Sequence, residues 1–286
     1  MDCLAARLAS RSLVKVILGI TNFDVREARF LSTVYTLAGA DVIDLPAEPA
    51  IVTAAKRAIA DIRAQFPLLP AAPRLMVSVA LAGDPHIRGA RLDAEQRAAV
   101  APADAAELTG AVEACLERGA DMVEVHAADS DDAALRAAVE ALDPVLGERY
   151  LSVCLGTQGL GAPADVIRQA RIALEVHGPR TMIQAEGLTP TGRAHPSSSL
   201  QGLALAQALL AHTGAYVLVA GGANHWTRTL AEILDVPVHG VACGTYARAL
   251  AQGLQAAESG TADWEEVAAV TGAFVRQLRG GAGRDR

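Results

Sequence analysis

The stretch Val217-Leu-Val-Ala-Gly221-Gly222-Ala-Asn224-His225-Trp226 has an echo in Val238-His-Gly-Val-Ala-Cys243-Gly244-Thr245-Tyr246-Ala-Arg248. Each is a short apolar run that ends in small residues and then opens a helix-like pattern. Two such units in succession, late in the chain, read as strands seven and eight of a (β/α)8 TIM barrel. In that fold the loops after these two strands commonly hold a phosphate. Unpaired N–H groups at a helix start and the positive end of its dipole attract an anion, and glycine lets the backbone approach it.

The remaining strands follow from apolar runs punctuated by turn formers. Val14–Ile20, Asp41–Leu45, Leu75–Leu81, Met122–His126, Tyr150–Leu155 and Thr181–Ala185 read as strands one to six, most of them followed by a helical pattern. A Gly-Ala-Asp junction recurs where helix gives way to strand, at Gly39-Ala40-Asp41 and Gly119-Ala120-Asp121, and loosely at Gly214-Ala215-Tyr216. Its recurrence argues for one repeated architecture. Residues 1–278 are expected to form a single barrel domain, with 1–12 as a cap under the barrel and 279–286 as a flexible tail. Two segments should lie over the mouth as lids, Ala82 to Pro102 and Glu186 to Ser198.

The chain has 286 residues, of which 51% are hydrophobic but only 3% aromatic, with a formal net charge of −7. That supplies a large core of Ala, Leu and Val. It also disfavours nucleic-acid binding, which relies on positive charge and aromatic stacking. Cys3, Cys115, Cys154 and Cys243 are scattered with no C-x2-C pair, so no zinc or iron–sulfur site is spelled out. The expected setting is cytoplasmic, without a signal peptide or membrane span. A homo-oligomer is compatible with the sequence.

Functional side chains in a barrel sit at strand C-terminal ends and in the loops after them. That filter selects Asp44, Glu124, His126 and Glu186 as acid/base candidates, able to move a proton next to a carbonyl. Glu124 and His126 are two apart, so they share a strand face, and the apolar alternation turns that face inward. The bland alternative is a structural hydrogen-bond network. Asn22, Gln184, Arg193, Asn224 and Arg88 are candidate substrate-binding residues. Gly221, Gly222, Gly244 and Thr245 form the candidate phosphate cup. Cys154 reads as a small buried filler, with a nucleophile as the sharper alternative. A Schiff-base lysine is disfavoured, because Lys15 falls near the start of strand one and Lys56 in a helix.

Two passages resemble known families. Lys15-Val-Ile-Leu-Gly-Ile-Thr-Asn-Phe-Asp24 with Ala38-Gly-Ala-Asp-Val-Ile-Asp44 is similar to a TIM-barrel family of plastid and cyanobacterial genomes. Ile183-Gln-Ala-Glu-Gly187, Ala220-Gly-Gly-Ala-Asn-His225 and Gly240-Val-Ala-Cys-Gly-Thr-Tyr-Ala-Arg248 resemble the C-terminal region of the cyanobacterial light-dependent period protein LdpA. The resemblance implies a barrel and brings no established catalytic residues. LdpA is associated with redox and light input to a circadian clock and has a ferredoxin-like iron–sulfur portion. This chain lacks clustered cysteines, so the likeness extends to the barrel alone.

The functional expectation is a small phosphorylated ligand and lyase or isomerase chemistry. The alternatives are a non-catalytic ligand-sensing barrel and an FMN-binding oxidoreductase, since FMN's phosphate could use the same cup. Carboxylates and imidazole on one rim could also bind a divalent ion. No motif assigns either cofactor, and no metal ligand is singled out.

Overall fold

The computed structural model describes residues 3–88, 90–128, 130–156, 162–187, 195–257 and 264–280. The chain starts with helix α1 (Cys3–Ala9) and strand β1 (Leu13–Ile17). It continues with α2 (Val25–Leu37), β2 (Val42–Pro46), α3 (Pro49–Gln65), β3 (Arg74–Ala80), α4 (Ala94–Val100), α5 (Ala105–Glu117) and β4 (Met122–His126). Next come α6 (Asp132–Leu146), β5 (Leu151–Gly156), α7 (Pro163–His177), β6 (Thr181–Glu186), α8 (Leu200–His212) and β7 (Tyr216–Ala220). The last elements are α9 (Thr227–Ile233), β8 (Gly240–Cys243), α10 (Thr245–Ala257) and α11 (Trp264–Arg279). All eight strands are parallel, and β8 returns to pair with β1, closing the barrel. Among the described residues no helix is long and apolar enough to cross a membrane.

The recurrent Gly-Ala-Asp junction now has a mechanical role. Asp41 precedes β2 and accepts a hydrogen bond from Val14 N of β1 at 2.9 Å. Asp121 precedes β4 and accepts one from Leu75 N of β3 at 2.9 Å. Before β8 the same task falls to His239, whose Nδ1 accepts from Val217 N of β7 at 3.0 Å. In each pair an acceptor ahead of one strand satisfies the N–H of the second residue of its neighbour. Helix starts are fixed similarly. Asp24 caps α2 by accepting from Arg26 N and Glu27 N, and Asp93, Asp104 and Asp131 cap α4, α5 and α6.

The strand pleat sorts side chains into two sets. Val14, Val16, Ile43, Leu45, Val77, Val79, Val123, Val125, Val153, Ile183, Val217 and Val219 face the helices. The alternate residues fill the barrel in layers. The lowest layer is apolar: Leu13, Val42, Met76, Met122, Met182 and Leu218, closed from beneath by Leu4 and Leu8 of α1. Above it lies a buried polar layer, Lys15, Asp44, Ser78, Glu124, Ser152 and Gln184. The mouth carries His126, Cys154 and Glu186.

Two expectations need revision, and a third falls largely outside the described residues. The 82–102 segment is not a bare loop, because α4 lies within it, and Val100 and Ile87 pack with Ile20 and Ala80 over the mouth. Only Glu186, Gly187 and residues 195–198 of the second expected lid fall within the described residues. The tail does not begin at 279: Arg279 ends α11, and its Nη2 donates to Gly39 O and Asp41 Oδ2. Residues 281–286 lie outside the described set.

Candidate functional site

A cavity of about 240 Å³ opens at the C-terminal ends of the strands. One wall is Gly221, Gly222, Ala223, Gly244, Thr245, Tyr246 and Arg248; the other carries His86, His126, Gln184 and Glu186.

On the first wall the backbone N–H groups of Gly222, Ala223, Gly244 and Thr245 have no acceptor among the described residues. Gly244 and Thr245 open the long helix α10, so their N–H groups lie at the positive end of its dipole. Gly222 has φ +79°, and a Cβ there would meet Ser198 O at 2.4 Å. Glycine is therefore a steric requirement of this turn. Arg248 completes the wall. It lies one turn into α10 and folds back, donating from Nη1 to Ile17 O at 2.9 Å and from Nη2 to Thr245 Oγ1 at 3.2 Å. Burial moves its pKa down, with Glu27, Cys243 and Tyr35 pulling the other way. In the sequence Arg248 stands out only as part of a motif. Its place three residues after Thr245, at the spacing that puts two side chains on one helix face, is the signal that could have found it.

On the second wall His86 stands between two carboxylates. Its Nδ1 is 2.9 Å from Asp84 Oδ1 and its Nε2 is 3.1 Å from Glu186 Oε1. Burial alone would lower its pKa, but both carboxylates hold the imidazolium and raise the value to about 10. His126 meets His86 edge to face, ring centroids 4.8 Å apart. It is 4% exposed, and neither ring nitrogen makes a hydrogen bond, although Nε2 lies 3.3 Å from Glu124 Oε1. Sequence pattern does not select His86 and Asp84, because they lie beyond the end of β3 in a segment that reads as a lid. The Asp-Pro-His turn, in which Asp84 Oδ1 also accepts from His86 N at 2.9 Å, is the local signal.

Beneath the cavity sits the polar layer. Lys15 Nζ lies 2.9 Å from Asp44 Oδ2, 2.5 Å from Glu124 Oε2 and 3.0 Å from Gln184 Oε1. Ser78 Oγ donates to Asp44 at 2.6 Å and Ser152 Oγ to Glu124 at 2.6 Å. Desolvation opposes the Lys15 charge, but the two carboxylates more than offset it and raise its pKa. Desolvation would also raise Glu124, yet Lys15 and His126 hold its carboxyl well below the usual range. Asp44 is pushed up, because burial and the nearby Glu124 outweigh Lys15. Lys15 is thus not at the wrong end of its strand. The strand is Leu13–Ile17, and Lys15 is its central, inward residue.

The structure sorts the remaining sequence-selected residues as follows. His126, Gln184, Glu186, Gly221, Gly222, Gly244 and Thr245 meet on the cavity. Gln184 is already engaged at both ends, accepting from Lys15 and donating from Nε2 to Cys154 Sγ at 3.3 Å. Asp44 and Glu124 lie one layer below, off the cavity wall. Asn22 closes its own turn, donating to Leu18 O and accepting from Asp24 N. Asn224 is buried and ties the β7 loop together: Nδ2 donates to His195 O, Ser198 Oγ and Gly222 O, and Oδ1 accepts from Trp226 N. Arg88 is exposed and donates to Gly83 O. None of these three lines the cavity, because short loop geometry consumed their polar atoms. Arg193 lies outside the described residues. Cys154 donates to Glu186 Oε2 at 3.3 Å, and burial with Glu186 nearby keeps it a thiol, which is contrary to a nucleophile.

The fold is shared with solved structures. A Coccidioides immitis protein assigned as a fructose-1,6-biphosphate aldolase aligns with TM-score 0.56 and 14% identity over 95% of this chain and 91% of its own. A Toxoplasma gondii protein assigned as a deoxyribose-phosphate aldolase gives TM-score 0.54 and 14% identity, covering 87% of this chain and 97% of its own. KGPDC of Streptococcus mutans, solved in complex with a phosphorylated sugar, gives 0.50 and 15%, covering 93% and 97%. At these identities the likeness is one of fold. A search of curated protein sequences found no significant match. The model of the light dependent period A C-terminal domain matches residues 115–278, which takes in both glycine-ended loops and Arg248, and the chain belongs to that family.

Proposed function

We propose that the cavity binds a small phosphorylated carbonyl compound and carries out proton transfer beside the carbonyl, in a lyase or isomerase reaction. The observation that carries this reading is the division of one cavity into two chemically different walls. Unpartnered N–H groups, a helix N-terminus and Arg248 suit a phosphate. Across the cavity, Glu186 can take a proton while His86 and His126 face the carbonyl oxygen. Glu124 acts from beneath as the partner that orients His126. A cavity of about 240 Å³ suits a short sugar phosphate better than a flavin. Two of the fold neighbours carry names of phosphorylated-sugar aldolases and a third holds a phosphorylated sugar, which adds a substrate class to the reading.

The test has two arms. Short phosphorylated aldoses and ketoses should raise the melting temperature of the protein, and Arg248→Met or Gly222→Asp should remove that rise. In deuterated water a bound ligand should exchange the proton next to its carbonyl, and Glu186→Gln should stop exchange while leaving the thermal shift. If no phosphorylated compound shifts the melting temperature, or if the shift survives both cup substitutions, the reading fails.

A further inference from the structure

We infer that Asp84, His86 and His126 form a binding site for one divalent transition-metal ion of the zinc class at the barrel mouth. One donor atom from each of the three lies within 4.8 Å of the others. Around a tetrahedral ion with bonds of about 2.0–2.2 Å, donor atoms stand roughly 3.3–3.5 Å apart. The site therefore needs a closing movement on the order of an ångström. His86 is the residue placed to make it, by giving up one of its two carboxylate contacts, being on the loop after β3 with its side chain 22% exposed, whereas Asp84 and His126 are fixed by burial.

A second observation points to a ligand independently of this spacing. His126 is buried with both ring nitrogens unhydrogen-bonded, and it borders the cavity. A buried imidazole with no aligned hydrogen bond, its Nε2 only 3.3 Å from Glu124 Oε1, is costly, and a metal bond removes that cost. The surroundings also favour added positive charge. Asp44, Asp84, Glu124 and Glu186 are all buried, and the lysine among them is held by Asp44 and Glu124.

Two imidazoles and a carboxylate form a donor set suited to zinc once the ion displaces a proton from the His86 imidazolium to solvent, with a fourth position left to water or substrate. Here that position faces the cavity. Glu186 Oε1, now 3.1 Å from His86 Nε2, would be released from the ring or would orient it. The ion would polarise a substrate oxygen placed between the two walls. A second set, Glu124, His126 and Cys154, has similar spacing, but Glu124 is already neutralised by Lys15 and Cys154 does not border the cavity.

The site is tested without any phosphorylated compound, so its outcome is separate from that of the cup. The full chain is stripped with chelator and titrated with Co²⁺. One equivalent should give a visible d–d band that Zn²⁺ abolishes, with no near-ultraviolet thiolate band. His86→Gln, at a partly exposed loop position and with folding checked by circular dichroism, should weaken Co²⁺ by about tenfold or more. His126→Gln and Asp84→Asn should do the same, and His195→Ala should change nothing. Failure to bind at one equivalent, a thiolate band placing the ion on Cys154, or unchanged affinity in His86→Gln would each overturn the assignment.

Discussion

Lys15→Met is the perturbation that most directly tests how the interior of this barrel is held. Methionine keeps the length and apolar stem of the lysine and removes only the ammonium. In the native protein that group lies 2.9 Å from Asp44 and 2.5 Å from Glu124, in a layer that is 1% exposed or less. Its loss leaves Glu124 with Ser152 and a misaligned His126. Removing one partner of a buried ion pair costs about 3–5 kcal/mol, since the other charge stays desolvated. The expected destabilisation is in that range, a large share of the about 5–15 kcal/mol of a typical domain. Urea unfolding followed by circular dichroism measures it, provided the m-value is unchanged. Lys15→Met with Glu124→Gln removes one of the two stranded carboxylates and should recover a measurable part of the loss. If Lys15→Met falls within about 1 kcal/mol of the parent, an amount ordinary for a surface pair, the layer is not a coupled charge network and the reasoning is wrong.

Three further outcomes follow from the geometry. Gly222→Ala should destabilise by about 1–3 kcal/mol, from φ +79° and the clash with Ser198 O, whereas Gly244→Ala, whose Cβ would meet only ordinary contacts, should cost about 1 kcal/mol or less; paired melting curves check this. Native protein should react with a thiol reagent at Cys3 alone, and at all four cysteines when denatured, because Cys115, Cys154 and Cys243 are buried and burial pushes Cys115 and Cys243 up to about 12. His239 is held neutral in the fold, its pKa lowered by burial and Arg11, with Nδ1 accepting from Val217 N. The unfolded chain therefore binds the extra proton, so this residue's contribution is present above the unfolded value of about 6.5 and is lost as pH falls through the folded one. The slope of stability between pH 7 and 5 should be shallower in His239→Asn, which keeps an acceptor near Nδ1; an unchanged slope would remove His239 from the account.

The fold is readable because it repeats. Strand, glycine-ended loop and helix recur often enough that eight strands can be counted, and the inward face of β4 follows from Met122, Glu124 and His126 alternating with Val123 and Val125. The glycine-rich wall is readable for the same reason, since two loops of one design fall in succession. What cannot be read is the reach of long side chains. Arg248 lies in a helix by sequence and on the glycine-rich wall of the cavity by structure, because an arginine one turn into a helix can fold back over its N-terminus. Asn22 and Asn224 look like free amides until the turns around them form and consume their hydrogen bonds. His86 depends on where a long excursion lands, and local pattern carries no information on that.

Lys15 shows why position along a strand is a poor guide to chemistry. Its place in the sequence discounts it as standing at the wrong end, yet it is central and inward. It is no freer for that. An ammonium held by two buried carboxylates has little tendency to lose its proton, and a protonated amine has no lone pair to attack a carbonyl. Its effect on the mouth runs through Glu124, which turns Oε2 down to Lys15 and Oε1 up toward His126. Without the lysine, Glu124 would have to take a proton to stay buried, and its negative face toward the imidazole would be gone. The lysine is therefore the counter-charge that allows a carboxylate to stand beneath His126. In the proposed reaction that carboxylate would prepare the ring to donate a proton and, with a metal bound, would make it a better ligand.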